Sequence, residues 1–152
     1  MSKIVNNYLL LILLCISTTV KAQDALSGGQ QAVQQTIIKL FNALSNSDTA
    51  GMKLLSTIDV KFYEYGQVWT MDTMIQKVMV MSKASDFKRT NRFEFVNTTI
   101  SKKSAWVTYY LQSTFTRNGK EDIVKWMETV VLLKEKKQWK INVLHSTRLI
   151  NK

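Results

Sequence analysis

The sequence predicts an α+β fold in which N-terminal helices are followed by a mainly antiparallel sheet. Apolar residues recur with helical spacing in the first half of the chain. Four long stretches rich in β-branched and aromatic residues, joined by short polar turns, occupy the second half. Helices followed by a run of strands are typical of α+β domains. The chain has 152 residues, no Pro and no low-complexity linker, which favours a single domain.

The N-terminal segment 1–22 has the pattern of a signal peptide. One charged residue, Lys3, precedes an apolar run over 8–16, which is shorter than the roughly 20 residues that span a bilayer. Val20 and Ala22 suit the positions three and one before a cleavage site. We therefore expect cleavage near Ala22, export to the periplasm or the medium, and no stable membrane anchor afterwards. An uncleaved N-terminal anchor is the alternative.

Composition excludes several classes of site in the expected mature domain, 23–152. The chain has one Cys, which lies in the segment removed, and one His. A disulfide framework, a Cys-rich metal site and a site with several imidazoles are therefore excluded, and we expect neither a metal nor a cofactor. The formal charge is +10. We interpret its basic clusters, including Lys88, Arg89 and Arg92, as solvated, and expect no nucleic-acid partner, since no binding motif is present.

Three helices are predicted from capping signals and periodicity. Ser27 and Gln30 form a capping box before the first helix. The apolar face of that helix comprises Val33, Ile37, Leu40, Phe41 and Leu44. Asp48 is expected to cap a short second helix that runs through Leu55, and Thr70 a third over Met71–Ser82.

Strand patterns account for most of the remaining chain. A first strand is predicted over 58–65, and a turn at Gly66–Gln67 leads to a short extended piece at Val68–Trp69. The four long strands are predicted over 92–100, 105–116, 123–133 and 139–149. Asn118–Gly119 is the strongest hairpin signal of the chain.

Two segments resemble a known family. Residues 38–48, Ile-Lys-Leu-Phe-Asn-Ala-Leu-Ser-Asn-Ser-Asp, look like its first helix ending before a small-Asp step. Residues 138–147, Gln-Trp-Lys-Ile-Asn-Val-Leu-His-Ser-Thr, look like its last strand. With the order of elements, residues 30–150 resemble the SnoaL-like group of the nuclear transport factor 2-like superfamily. The resemblance implies a cone-shaped fold, in which a curved sheet wraps around the helices and encloses an apolar pocket.

His145 and Glu128 are the candidate catalytic residues. Alternation places His145 on the same strand face as Trp139, Ile141 and Val143, so we expect it to point into the cone. An imidazole there suits general acid–base chemistry, and the alternative is a structural histidine. Glu128 shares a face with Trp126, but both faces of its strand are apolar, so its orientation stays open. A buried Glu128 would have a raised pKa.

Aromatic side chains supply the predicted ligand contacts, and the alternative for each is ordinary packing. The set comprises Tyr63, Trp69, Tyr109 and Trp126. Tyr63 and Tyr65 share a face of the first strand, and either hydroxyl is also a candidate donor to a developing oxyanion. Trp69 precedes the third helix, where the pockets of the family open. Trp106 and Tyr110 lie on the face opposite Tyr109, and we expect them to form a homodimer interface on the outer sheet face.

Three functional hypotheses follow from these patterns. The first is an exported domain that binds a small, largely apolar ligand or a partner, because no complete catalytic set of the family can be matched to the sequence. The second is a lyase or isomerase in which His145 transfers protons with Glu128 or a tyrosine as its partner. The third is a non-catalytic dimeric interaction module whose cone is filled by its own side chains.

Overall fold

The computed structural model describes residues 26–150, so the predicted signal peptide and its cleavage site lie outside the described residues. The helices are α1 (Gly28–Ser45), α2 (Thr49–Leu54) and α3 (Met71–Met81). The strands are β1 (Ser56–Glu64), β2 (Gln67–Trp69), β3 (Lys88–Ser101), β4 (Ser104–Arg117), β5 (Lys120–Glu135) and β6 (Gln138–Leu149).

The capping signals confirm where the helices begin. Ser27 and Gln30 form the reciprocal capping box, Asp48 accepts a hydrogen bond from the backbone of Gly51, and Thr70 accepts one from Thr73. The predicted apolar face of α1 is buried throughout. Each helix therefore begins where a side-chain oxygen satisfies a backbone N–H that has no partner within the helix.

The six strands form one curved sheet in the order β2-β1-β6-β5-β4-β3. The β1–β6 pair is parallel, and the other pairs are antiparallel. The helices pack on the concave face, where the apolar residues of α1 belong to one core cluster with the inner residues of β4, β5 and β6. The predicted α+β fold, with helices held in a curved and mainly antiparallel sheet, is confirmed. No helix of residues 26–150 is both long enough and apolar enough to cross a membrane.

The long strands extend beyond most of their predicted bounds, and the extension of β3 has consequences for the site. β3 begins at Lys88 rather than at Arg92, because it pairs with β4 from Lys88 opposite Thr116. Just before it, the Asp86 carboxylate accepts hydrogen bonds of 2.7 Å from the backbone N–H groups of Asn118 and Gly119. These bonds tie the start of β3 to the predicted β4–β5 hairpin.

A bulge in β6 sets which of its residues face inward. Val131 of β5 pairs with Val143 and Leu132 pairs with Ile141, so Asn142 is an extra residue in β6. The Asn142 amide donates to Thr57 Oγ1 at 3.0 Å, which holds the bulge against the start of β1. Simple alternation therefore fails after Ile141, and the inward positions shift by one residue.

Candidate active site: a carboxyl pair in an apolar cavity

A cavity of about 620 Å³ lies between the helices and the concave face of the sheet. Most of its surface is apolar, and its buried apolar lining includes Phe41, Leu44, Phe62, Met74, Trp126 and Leu144. A volume of this size is typical of small-molecule sites, which run from about 300 to about 1,000 Å³. The predicted alternative of a cone filled by its own side chains is therefore wrong.

Glu128 reaches this cavity from the middle of β5. Its side chain is 3% exposed and lies on the same inner face as Trp126 and Val130, which settles the orientation that the sequence left open. The Tyr109 hydroxyl on β4 donates to Glu128 Oε2 at 2.6 Å. Ser146 Oγ on β6 lies 2.8 Å from Glu128 Oε1. Two neighbouring strands therefore fix both carboxyl oxygens.

A second carboxyl group, Glu64 at the end of β1, shares the Ser146 hydroxyl. Ser146 Oγ lies 2.7 Å from Glu64 Oε1 as well as 2.8 Å from Glu128 Oε1. A serine hydroxyl has one proton, so it donates to only one carboxylate at a time. The other short contact is favourable when that carboxyl group is itself protonated and donates to the serine oxygen. The geometry therefore favours one proton shared between Glu64 and Glu128 through Ser146.

Burial is the main cause of the raised pKa values of Glu64 and Glu128. It raises the pKa of Glu128 to about 7, although hydrogen bonds from Tyr109 and Ser146 oppose the shift. Burial also raises the pKa of Glu64, against the effects of the Ser146 hydrogen bond and the Arg89 charge. One carboxyl group of the pair thus holds a proton close to neutral pH, as acid–base chemistry near neutrality requires.

Tyr109 is a buried residue that holds the Glu128 carboxyl group in place by a hydrogen bond. It is fully buried among aromatic rings, with its ring centroid 5.5 Å from those of both Phe93 and Phe95. Burial, followed by the nearby Glu128 charge, raises the pKa of its hydroxyl well above the ordinary value. Tyr109 therefore stays protonated and acts as a fixed donor to Glu128.

Arg89 is the third ionisable group of the site. Its Nε donates to Asn91 Oδ1 at 3.0 Å, and its Nη2 donates to Ser113 Oγ at 3.2 Å. The guanidinium carbon lies 5.2 Å from the ring centroid of Phe41 and 5.0 Å from that of Phe115. Burial lowers the pKa of Arg89 to about 10, so the group remains charged at neutral pH. It lines the cavity together with Glu64 and Glu128.

His145 does not belong to this cluster. The expectation that it points into the cone is wrong, because the bulge at Asn142 places Leu144 and Ser146 inward and leaves His145 exposed on the outer face. There it packs beside Tyr63, with ring centroids 6.2 Å apart. His145 therefore has no direct contact with the cavity, and its proposed partnership with Glu128 is not formed.

The four predicted aromatic contacts divide between the two faces of the sheet. Trp69 and Trp126 line the cavity. The predicted ligand contact of Tyr109 is wrong, because Tyr109 is fully buried behind Glu128 and does not line the cavity. The predicted contact of Tyr63 with a ligand inside the cone is wrong, since Tyr63 is 38% exposed on the outer face beside His145. It is exposed because Phe62, its neighbour on β1, takes the inward position.

Sequence reasoning missed Glu64, Arg89 and Ser146. The interpretation of Arg89 as solvated is wrong, because β3 begins early and Arg89 continues the inward alternation of Phe93. Extending the inward alternation of the strand from Phe93 back to Arg89 would have predicted this orientation. Glu64 shares the parity of the buried Phe62, which was the signal for its orientation. No sequence signal placed Ser146 inward, since its facing depends on the bulge.

The described residues contain no cluster of side chains that suits a metal ion. Within 26–150, no three His, Cys, Asp or Glu side chains lie close enough together to hold an ion. The ionisable groups of the cavity can instead donate or accept a proton, or bind a polar group of an organic molecule.

Comparison with known proteins fixes the family. A family model described as the SnoaL-like domain matches residues 33–150. The chain belongs to the SnoaL-like family. This membership confirms the resemblance seen in the helix over 38–48 and the strand over 138–147. None of the curated proteins matches the sequence of this SnoaL-like domain.

Solved structures show the same fold at low sequence identity. A ketosteroid isomerase-like protein from Erwinia carotovora atroseptica SCRI1043 is 14% identical, with a TM-score of 0.66 over 83% of this chain and 100% of that one. A nuclear transport factor 2-like superfamily protein from Salmonella enterica is 17% identical, with a TM-score of 0.69 over 80% and 92%. A nuclear transport factor 2-like protein from Cytophaga hutchinsonii is 14% identical, with a TM-score of 0.65 over 81% and 100%. At these identities the likeness establishes the fold of the SnoaL-like domain alone.

Proposed function

We propose that this SnoaL-like domain binds a small, largely apolar molecule in its cavity and contacts a polar group of that molecule with the carboxyl pair. The observation that carries the proposal is an apolar cavity of about 620 Å³ whose lining includes the buried Glu128. Apolar walls with few converging polar groups are the usual pattern of a small-molecule site.

The neutral fluorescent probe N-phenyl-1-naphthylamine tests this proposal. The wild-type domain should give a saturable fluorescence increase at one probe per chain. Met74→Trp, which fills the cavity, should weaken probe binding about tenfold or more. Met79→Trp is the matched control, because Met79 lies on the same helix, is 47% exposed and does not line the cavity. Equal binding by wild type and Met74→Trp, or no binding by wild type, contradicts the proposal.

Proton transfer at the carboxyl pair is the second candidate function. It is favoured because Glu128 combines a pKa of about 7 with access to the cavity, and because Ser146 connects it to Glu64. In this lyase- or isomerase-type reaction Glu128 and Glu64 replace the predicted pair of His145 and Glu128. One carboxylate would take a proton from carbon while the other carboxyl group donates one to oxygen.

Deuterium exchange tests the second candidate. 2-Tetralone, an aromatic ketone with acidic α-protons, is incubated with the protein in D₂O near neutral pH and followed by proton NMR. Exchange faster than in buffer, lost in Glu128→Gln and kept in His145→Gln, supports proton transfer in the cavity. Exchange at the buffer rate, or unchanged exchange in Glu128→Gln, counts against it.

A homodimer through the outer sheet face is part of the proposal. Large apolar side chains are exposed there, with Trp106 41%, Tyr110 40% and Met127 40% exposed. Patches of this kind, rich in Trp and Tyr, are typical of interfaces. Sedimentation analysis should show a dimer that Trp106→Glu dissociates. Leu54→Glu, on the exposed surface of α2, is the control. A wild-type monomer at high concentration contradicts the dimer.

Export after cleavage near Ala22 completes the proposal and rests on the sequence pattern of residues 1–22. The intact mass of the protein recovered from a periplasmic fraction or from the medium should correspond to a chain that begins at Gln23. Recovery of the full-length chain from the cytoplasm alone contradicts it.

A further inference from the structure

Arg89 is a mostly enclosed charge without a carboxylate partner in direct contact. Within residues 26–150, the ion pairs with an N–O distance of at most 4.0 Å join Lys53 to Asp72 and Lys140 to Glu135. Charged side chains inside proteins are nearly always paired or fully hydrogen-bonded, because their removal from water is costly. The structure therefore leaves Arg89 with unused capacity to bind an anion.

The hydrogen bonds around Arg89 orient the guanidinium without using all of it. Asn91 and Ser113 accept from its Nε and Nη2, and Ser113 Oγ in turn donates to Asn91 Oδ1 at 2.7 Å. Asn91 Nδ2 donates to Ser45 Oγ on α1 at 2.9 Å, which fixes the Asn91 amide. A guanidinium has five N–H donors, so both donors of Nη1 and one of Nη2 remain for a ligand.

Aromatic rings enclose the same group. Phe41 and Phe115 lie within 5.2 Å of the guanidinium carbon, measured to their ring centroids. Such rings attract the cation and exclude water, while they leave its edge free to donate. An acceptor that reaches this edge from the cavity would meet a partly dehydrated, preorganised donor pair, which is the geometry that suits a carboxylate.

Glu64 and Glu128 do not neutralise Arg89 by direct contact. Their oxygens are bonded to Ser146 and Tyr109 instead, and none lies within the 4.0 Å of an ion pair with Arg89. A proton shared by the two carboxyl groups leaves them with one negative charge between them. The exposed charged side chains of the cavity lining are mainly basic, namely Lys77, Arg117 and Arg148 against Asp122. The charged side chains of the lining, Arg89 included, therefore carry a net positive charge, which favours an anion.

We propose that Arg89 binds the carboxylate group of the ligand, so that the ligands of the cavity are small organic acids with an aromatic or aliphatic body. This inference rests on the proposed ligand-binding function and narrows it to a chemical class. The apolar walls bury the body of the acid, and Nη1 and Nη2 bind its two oxygens. In this arrangement the Glu64–Ser146–Glu128 cluster contacts the ligand and does not pair directly with Arg89.

The test compares two probes that differ in charge and match in shape, 3-phenylpropanoate and 3-phenylpropanamide. Their dissociation constants are measured by ligand-observed NMR or calorimetry with wild type, Arg89→Gln, Arg89→Lys and Arg92→Gln. Arg92→Gln is the matched control, because Arg92 lies on the same strand, has the same charge and is exposed. Thermal melting of each variant separates loss of binding from loss of folding.

Wild type and Arg92→Gln should prefer the acid over the amide about tenfold or more, as expected for a charge-assisted pair of hydrogen bonds. Arg89→Gln should lose this preference and keep its affinity for the amide. Arg89→Lys should retain only part of the preference for the acid. It therefore replaces Arg89→Gln as the test variant if Arg89→Gln does not fold. Equal affinity of wild type for both probes overturns the inference, as does a preference that survives in both Arg89 variants. If the Arg89 inference is overturned but N-phenyl-1-naphthylamine binds, the proposal of ligand binding in the cavity still holds. If none of the three compounds binds, both the ligand-binding proposal and the Arg89 inference fail.

Discussion

His145 and Ser146 are adjacent in β6, yet they lie in opposite environments. His145 is exposed on the outer face beside Tyr63, whereas Ser146 is buried on the inner face between two carboxyl groups. The residue with the more obvious chemistry is thus outside, and the plain serine connects the groups able to move a proton. One extra residue, Asn142, causes this arrangement, because it shifts the alternation of the strand.

Residue type alone is therefore a weak guide to a site in this fold. Imidazole suits acid–base chemistry near neutral pH without any help from its surroundings. A glutamate behaves similarly only when its surroundings raise its pKa, and at Glu128 burial on the inner face is the largest cause of that rise. The chemistry of the cavity therefore depends on the environment of its carboxyl groups.

The largest expected difference between the two faces concerns stability. Leu144→Ala removes an inward side chain that is 2% exposed, and should lower the free energy of unfolding by about 2–4 kcal/mol. His145→Ala, at the adjacent exposed position, should change it by less than about 1 kcal/mol. Urea denaturation of both variants measures the contrast. Equal losses would show that the register shift at Asn142 is not present in solution.

A smaller effect is expected from the pH dependence of stability. The pKa of Glu128 is raised in the folded state, so the folded protein binds this proton more tightly than the unfolded chain does. The free energy of unfolding should therefore fall as the pH rises from about 4.5 to about 7. Burial of Glu64 acts in the same direction. Glu128→Gln removes the Glu128 contribution and should gain about 2–3 kcal/mol relative to wild type between about pH 5 and about pH 8.

Glu94→Gln is the control for this measurement, because Glu94 is exposed on β3 and undergoes the same chemical change. Urea denaturation across the pH range should give parallel curves for Glu94→Gln and wild type. A Glu128→Gln curve that also runs parallel to wild type would mean that the Glu128 carboxyl group is not buried as the structure has it.

The smallest effect is expected from single hydroxyl groups. Tyr109→Phe removes the 2.6 Å donor to Glu128 and should cost about 1–2 kcal/mol near neutral pH, and more as Glu128 ionises. Tyr63→Phe removes an exposed hydroxyl on the outer face and should cost less than about 0.5 kcal/mol. Thermal melts of the two variants make the comparison, and a larger loss in Tyr63→Phe would reverse the assignment of the faces.

Local signals predicted most of the fold. The caps at Ser27, Asp48 and Thr70 bond to backbone groups within a few residues, so the sequence contains both partners. The hairpin at Asn118–Gly119 is also local, since both residues adopt the positive φ that this turn requires. The family resemblance then supplied the cone arrangement, which no local pattern specifies.

The site was less predictable because it depends on contacts that are distant in the chain. Both faces of β5 are apolar, so only the packing of Trp126, Val130 and Leu132 into the core shared with the other elements decides that Glu128 faces inward. Arg89 was interpreted as solvated because arginines near a strand end usually are, and its partners Ser113 and Phe115 lie on the paired strand β4. The error at His145 came from assuming an unbroken strand, and the contact that stabilises the bulge joins Asn142 to Thr57.

Carbon-13 NMR titration of the glutamate carboxyl groups tests most directly whether the cavity holds a carboxyl pair that shares a proton near neutral pH. Glu128→Gln and Glu64→Gln assign the two signals. The structure predicts that the Glu128 signal titrates near pH 7, and that its midpoint shifts in Glu64→Gln because the two groups are coupled through Ser146. Midpoints for both groups at the ordinary glutamate value of about 4.3, each unaffected by the other substitution, would contradict the account.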